Sequence, residues 1–239
     1  ATAEVTTKAD YEALTDKSTA VPTRTLTDTR DGNTYTVKKL ADGNIWMTEN
    51  LKLTNVTLSS SDSNLPTGTT FNLPASSTAR WCTTSNTTNC DGTANVLDAT
   101  DTSISGQGSA QSNYGVYYNW FAATAGEGTY SKSSGSVSRD ICPKGWRLPT
   151  GGDSGEFQSL YSKYNTSALM RKATGGPAFV LSGSRYGSST YDQGSYGYYW
   201  SSTANNNNYA YYLDMDSSNV YPADLNGKYV GYSVRCVAQ

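Results

Sequence analysis

Read for its apolar and polar positions, the chain begins with a hairpin. Thr34 to Leu40 alternates, Ile45 to Thr48 follows, and Asp31-Gly32 and Asp42-Gly43 mark tight turns on either side. Trp46 and Met47 are expected in the core. The densest aromatic run, Tyr114-Gly-Val-Tyr-Tyr-Asn-Trp-Phe121, has strand character and reads as packing. The periodicity changes after Asp153 or Ser154, either of which can cap a helix. There Phe157, Leu160, Tyr161 and Tyr164 fall on one helical face. A second short helix is expected from Ala168, ended by Gly175-Gly176-Pro177, and a strand from Phe179 to Arg185. Further strands are expected at Tyr198–Ser202, Tyr209–Met215 and Tyr232–Val237. Residues 54 to 113 show little periodicity and read as a long irregular excursion. Residues 1–25 are polar and read as a linker or stalk-adjacent segment, leaving 26–239 as one domain.

Composition refines this picture. Only 36% of the 239 residues are hydrophobic and 16% charged, so the high-charge signature of disorder is missing. The 19 Tyr and 5 Trp can supply the buried area that Leu and Ile would otherwise give. A folded, loop-rich, mostly β protein is expected. A net charge of −2 without a basic run argues against nucleic acid as partner. The absence of His removes His-based triads, His general bases and the commonest metal ligand. No apolar run approaches the roughly 18 residues that would span a membrane.

The four Cys form no CxxC pair, and an even count in so polar a chain suits two disulfides outside the cytoplasm. Three pairings are open. Cys82–Cys90 with Cys142–Cys236 is preferred, the first stapling a polar loop and the second tying the last strand to mid-chain. Asp91, Asp98 and Asp101 are oxygen ligands of the kind calcium takes, but solvated loop carboxylates are the simpler reading. Asp214-x-Asp216-x-Ser218 fails as a calcium loop, with Asn219 and Leu225 where Gly and Glu are wanted. No cofactor and no metal is expected, and structural calcium is not predicted.

Seven short stretches carry a resemblance. Cys142-Pro-Lys-Gly-Trp-Arg-Leu-Pro-Thr150 is followed by Glu156-Phe157, Tyr199-Trp-Ser-Ser-Thr203 and Ser233-Val-Arg-Cys-Val237. Earlier come Asp31-Gly-Asn-Thr-Tyr35, Gly43-Asn-Ile-Trp-Met-Thr-Glu-Asn-Leu51 and Tyr114-Gly-Val-Tyr-Tyr-Asn-Trp120. In this order they resemble the Fibrobacter succinogenes major paralogous domain family of bacterial surface proteins, over about residues 26–239. The resemblance implies an α+β, C-type lectin-like fold: an irregular antiparallel β-sheet core, one or two helices and long loops. The Trp-Arg-Leu-Pro-Thr pattern is also similar to the formylglycine-generating enzymes, which share that fold. In this alignment Cys142 and Cys236 look structural, so no catalysis is expected. The Glu-Pro-Asn or Gln-Pro-Asp loop and the Trp-Asn-Asp strand of calcium-dependent lectins are absent.

The C-terminal stretch from Tyr198 to Cys236 is rich in Tyr, Asn, Ser and Asp between two strand-like segments. Its layout is similar to the variable region of proteins diversified by retroelements that mutagenise adenines. That resemblance suggests Tyr209, Tyr212, Asp214, Asp216, Tyr221, Ala223, Asp224, Leu225, Asn226, Tyr229 and Val230 as ligand-binding positions. Strand alternation puts Ala210, Tyr212, Asp214 and Asp216 on one face, and Tyr211, Leu213 and Met215 on the other. Trp200, Leu213, Met215, Val234 and Cys236 are expected as frame. Tyr212 and Tyr221 are expected to be exposed, so that truncating either leaves the melting temperature unchanged. The expectation for function is a non-catalytic, adhesin- or receptor-like protein at the cell surface. Its partner would be a protein or glycan on another cell or on a phage or host surface, with no membrane insertion by this chain. The rival expectation is a structural subunit of a surface filament or layer.

Overall fold

The computed structural model of the chain describes residues 23–77, 81, 92–99 and 112–239. Its first sheet grows from the expected hairpin. Strands β1 (Thr23–Thr27), β2 (Thr34–Lys39) and β3 (Ile45–Met47) pair antiparallel, with Val37 opposite Met47 and Lys38 opposite Trp46. β1 opens inside the end of the segment read as a linker. The turns work through glycine: Gly32 and Gly43 sit at φ 77° and 88°, where a side chain would be strained. Tyr35 and Val37 point inward from β2, and all three residues of β3 are buried, as Trp46 and Met47 were expected to be. Two short strands from far along the chain, β9 (Trp146–Arg147) and β15 (Val237–Ala238), complete the order β1-β2-β3-β15-β9.

The region read as an irregular excursion is partly regular. β4 (Val56–Ser59) and β5 (Thr70–Leu73) form a hairpin, and β6 (Val96–Asp98) pairs with β7 (Val116–Tyr118). The Ser/Thr richness hid them, since only Leu58 and Leu73 of the first pair are buried. After β7 the aromatic run turns into a one-turn helix, α1 (Trp120–Ala123), because the Asn119 side chain accepts from the Ala122 amide. The expected Cys82–Cys90 bridge lies outside the described residues, as do Asp91 and Asp101.

The Cys142-to-Glu156 motif is a framework whose Arg147, Thr150 and Glu156 bond to one another. Buried Asp140 accepts from the amides of Cys142 and Leu148, both at 2.9 Å. The guanidinium of Arg147 grips Glu156 through two bonds of 2.6 and 2.7 Å. Glu156 in turn accepts from the Thr150 amide and gives its own amide to the Thr150 hydroxyl. That exchange starts helix α2 (Glu156–Tyr164). Its N-cap is Gly155 rather than Asp153 or Ser154, and it makes no side-chain capping bond, because the Thr150–Glu156 pair already occupies the helix start. Phe157, Leu160 and Tyr164 bury the expected face and Tyr161 lies at its margin. α3 (Ser167–Met170) follows, capped by Thr166. Disulfide Cys142–Cys236 joins this region to β15 with Cα atoms 5.9 Å apart.

The second sheet carries the C-terminal stretch. β12 (Gly197–Ala204), β13 (Tyr209–Met215) and β14 (Val220–Gly227) run as a meander in the order β14-β13-β12-β8, with β8 at Gly135–Ser136. β14 was not expected, since Pro222, Ala223, Asp224 and Asn226 are poor strand formers. It is an edge strand, where a missing N–H costs nothing. Its register also shifts between the pairs Tyr212–Asp224 and Asp214–Tyr221, which places Pro222 and Ala223 in a bulge. Of the expected Phe179–Arg185 strand only the end survives, as β10 (Ser184–Tyr186), paired with β11 (Ser189–Tyr191). Likewise Tyr232 to Arg235 joins no ladder. Isolated bridges, Arg185 to Gly231, Tyr118 to Tyr232 and Tyr199 to Ser233, stitch this segment between the other elements. Gly231 permits the approach, because a Cβ there would lie 2.3 Å from the Trp81 ring. Buried Arg235 locks the end of the chain: it donates to Asn50 Oδ1 at 2.6 Å and to the carbonyls of Pro177 and Ala178 at 2.9 and 2.8 Å.

The described chain is thus mostly antiparallel β with three short helices, an α+β arrangement. Among the described residues no helix is long and apolar enough to cross a membrane.

Candidate functional site

The two faces of the β12–β13 pair have different environments. Tyr199, Leu213 and Met215 are fully buried on one face, against Phe157, Leu160 and Phe179. The expected frame residues Trp200, Val234 and Cys236 are fully buried as well. On the other face Tyr198, Trp200 and Tyr212 meet Tyr232. The Tyr198 and Tyr232 rings stack at 5.0 Å, Tyr212 and Tyr232 lie 4.8 Å apart, and Trp200 and Tyr232 lie 4.6 Å apart. Trp200 gives its N–H to the Tyr118 carbonyl at 2.8 Å, which anchors this cluster to β7.

Beyond the cluster the surface opens into a cavity of about 360 Å³. Tyr198, Tyr212 and Tyr232 form its inner wall, and Tyr186, Tyr191 and Tyr229 its rim. Asp192 and Asp214 supply its charge. The inner hydroxyls are held: Tyr198 donates to Asp192 and Tyr212 to Asp224, each at 3.0 Å, while the Asn226 amide donates to the Tyr232 hydroxyl at 2.5 Å. Burial, chiefly, and then nearby carboxylates push the phenols of Tyr198 and Tyr212 well above their usual value. These rings therefore stay neutral donors. Partial burial and then the charges of Asp224, Asp216 and Asp192 push Asp214 up to about 6. Its Oδ1 is buried and has no hydrogen-bond partner.

Asp214 also borders a second cavity, of about 410 Å³, lined by Asp153, Gln158, Tyr221, Pro222, Ala223 and Asp224. The bulge in β14 shapes this hollow, and α2 supplies its far side. Six of the seven large hydrophobic side chains exposed among the described residues lie on β10 to β14 or the turns between: Tyr186, Tyr191, Tyr196, Tyr209, Tyr221 and Leu225. Leu169 is the other. So dense an aromatic surface marks an interaction site more often than chance.

The proposed positions divide by location. Tyr221, Ala223 and Asp224 border the second hollow, and Asn226, Tyr229 and Val230 the first. Tyr209 and Leu225 are exposed on the strands beside them, 45% and 39% accessible. Tyr212 corrects the expectation of an exposed ring: it lines the cavity but is only 5% accessible. Strand alternation gave its face correctly, but that face is roofed by Tyr232 from the end of the chain. Val230 is likewise buried at 6%. Asp216 turns inward on its own loop. It accepts from the amides of Ser218 and Asn219 and from the Asn219 side chain, and these bonds hold its carboxyl below the usual range. Sequence reading missed Ser184, Tyr186, Tyr191, Asp192, Tyr198 and Tyr232 as cavity residues. The signal was present, since residues 184 to 199 share the Tyr/Ser/Gly composition of the later stretch. Among the described residues no group of three or more Asp, Glu or Cys gathers as a metal-holding set.

The site is therefore a Tyr- and Asp-lined surface on a rigid antiparallel sheet within an α+β domain. The family model of the Fibrobacter succinogenes major domain matches residues 40–238, and the chain belongs to that family. Comparison with curated proteins and with solved structures returned no match.

Proposed function

We propose that the chain is a non-catalytic binding protein that takes a protein or glycan ligand on the C-terminal face, outside the cytoplasm. The observation that carries this is the pair of adjoining hollows, about 360 and 410 Å³, which share Asp214 and are ringed by exposed tyrosines. Ligand sites are commonly of this size, and Tyr gives large contact area at low entropic cost. The sheet behind them is fixed by Trp200, Leu213, Met215 and the Cys142–Cys236 bridge, so the surface can change without loss of the frame. On this reading the fold is C-type lectin-like, and the surface is one diversified by a retroelement. An edge strand broken by Pro222 favours a ligand face over a subunit that polymerises by strand pairing. Sequencing the surrounding DNA tests diversification. The expected result is a reverse-transcriptase gene and a near-identical repeat of codons 198–237 that differs at adenines. Binding is tested by retention on arrays of cell-surface proteins and glycans. Tyr221→Ala is expected to abolish retention with the melting temperature unchanged, and a variant that binds as well as the parent would remove the face from the site.

A further inference from the structure

The first cavity has a definite chemical character. Tyr198, Tyr212 and Tyr232 line its inner wall and three more tyrosines its rim. The charged groups acting on Asp214 are Asp224, Asp216 and Asp192, all negative. Tyr198, Tyr212 and Tyr232 face it as neutral rings, since burial keeps all three phenols protonated. Three acids elsewhere pair with cations, Asp28 with Arg30, Glu127 with Lys132 and Glu156 with Arg147. Here Tyr198 and Tyr212 give one hydroxyl each to Asp192 and Asp224, and Asp214 Oδ1 stays buried without a partner.

Resting on the ligand-binding reading, we infer that this cavity receives the cationic head of the ligand, a protonated amine or a guanidinium. Ring faces carry the negative end of the aromatic quadrupole and attract a cation placed over them. Asp192 and Asp214 add carboxylate charge on the cavity wall, and a carboxylate is a strong acceptor for the donors of a cation. An anionic head would meet the same carboxylates as repulsion. A neutral head could stack on the rings but would leave the charge of Asp214 unanswered. The arrangement selects by charge first and by shape second.

The test uses the isotope-labelled full chain and nuclear magnetic resonance. Four blocked amino acids serve as probes: N-acetyl methylamides of lysine, arginine, norleucine and glutamate. Lysine and arginine derivatives are expected to shift the amides of Tyr198, Asp214 and Tyr232, and their ratio separates amine from guanidinium recognition. Norleucine, the neutral counterpart of lysine, is expected to bind about tenfold more weakly, the worth of one charge-assisted hydrogen bond. Asp214→Asn and Asp192→Asn are each expected to remove most of that preference. Asp192 sits at φ 61°, a conformation asparagine tolerates, and a melting curve of each variant establishes that it folds. Equal binding of norleucine or glutamate would overturn the cationic assignment while leaving the cavity a ligand site. Silence of these amides toward all four probes would also overturn it, and the binding reading would then stand or fall on retention at Tyr221.

Discussion

Two regions of this molecule treat polar groups in opposite ways. Around Cys142 to Glu156 the motif's groups answer one another: Asp140 is met by two amides, Arg147 by Glu156 and Thr150 by the same carboxylate. Across the β12–β14 face the carboxylates of Asp192, Asp214 and Asp224 crowd one another, and Asp214 keeps an oxygen without a partner. Buried polar groups in a framework are satisfied because each orphan is expensive. On the proposed reading, the charge left on this face is there for a ligand. On that reading the difference separates the part of the sequence that makes the domain from the part that binds.

The comparison can be broken first on the framework side, where effects are largest. Arg235→Ala orphans Asn50 Oδ1 and the carbonyls of Pro177 and Ala178. It is expected to cost about 3 kcal/mol or more, read by urea denaturation. Replacing Cys142 and Cys236 together by Ala opens a link between residues 94 apart in sequence and is expected to cost about 2–5 kcal/mol by the same measurement. Tyr212→Ala is the informative intermediate. Its ring is core while its hydroxyl is site, so about 3 kcal/mol of stability should go with it. On the surface side, Tyr209→Ala and Tyr221→Ala are expected to stay within about 0.5 kcal/mol of the parent.

A pH dependence is also expected. Asp140 and Asp214 both sit at about 6 in the fold, above the ordinary 3.8, chiefly through burial. The folded state therefore binds protons more readily than the unfolded one between those values. Their contribution is fully present below about pH 4 and is lost as pH rises through 6. Asp214→Asn removes one of the two, so it should melt higher than the parent at pH 7 and converge with it near pH 4. Melting curves across pH 4–8 read the difference.

Most of the framework was legible in the sequence. The Gly32 and Gly43 turns, the α2 face of Phe157, Leu160 and Tyr164, and Cys142–Cys236 all rest on local patterns or on a motif whose residues bond to one another. The site was half legible. Its composition pointed to residues 204–230, but β14 violates strand propensity at Pro222 and Asp224 and is held by position at a sheet edge. Tyr212 looked exposed because alternation is a property of one strand, whereas its burial comes from Tyr232, twenty residues on, laid over it. Tyr186, Tyr191 and Asp192 share the composition of the later stretch, but it is the β10–β11 hairpin, a tertiary contact, that brings them to the cavity.

The central claim is that the face can lose its binding residues while the frame stands. The most direct measurement pairs retention with melting in one double variant, Tyr209→Ala with Tyr221→Ala. Retention on the ligand-bearing surface should be lost while the melting temperature stays within a degree or two of the parent, as expected for exposed side chains. Retained binding, or a collapse of the melting temperature, would contradict it.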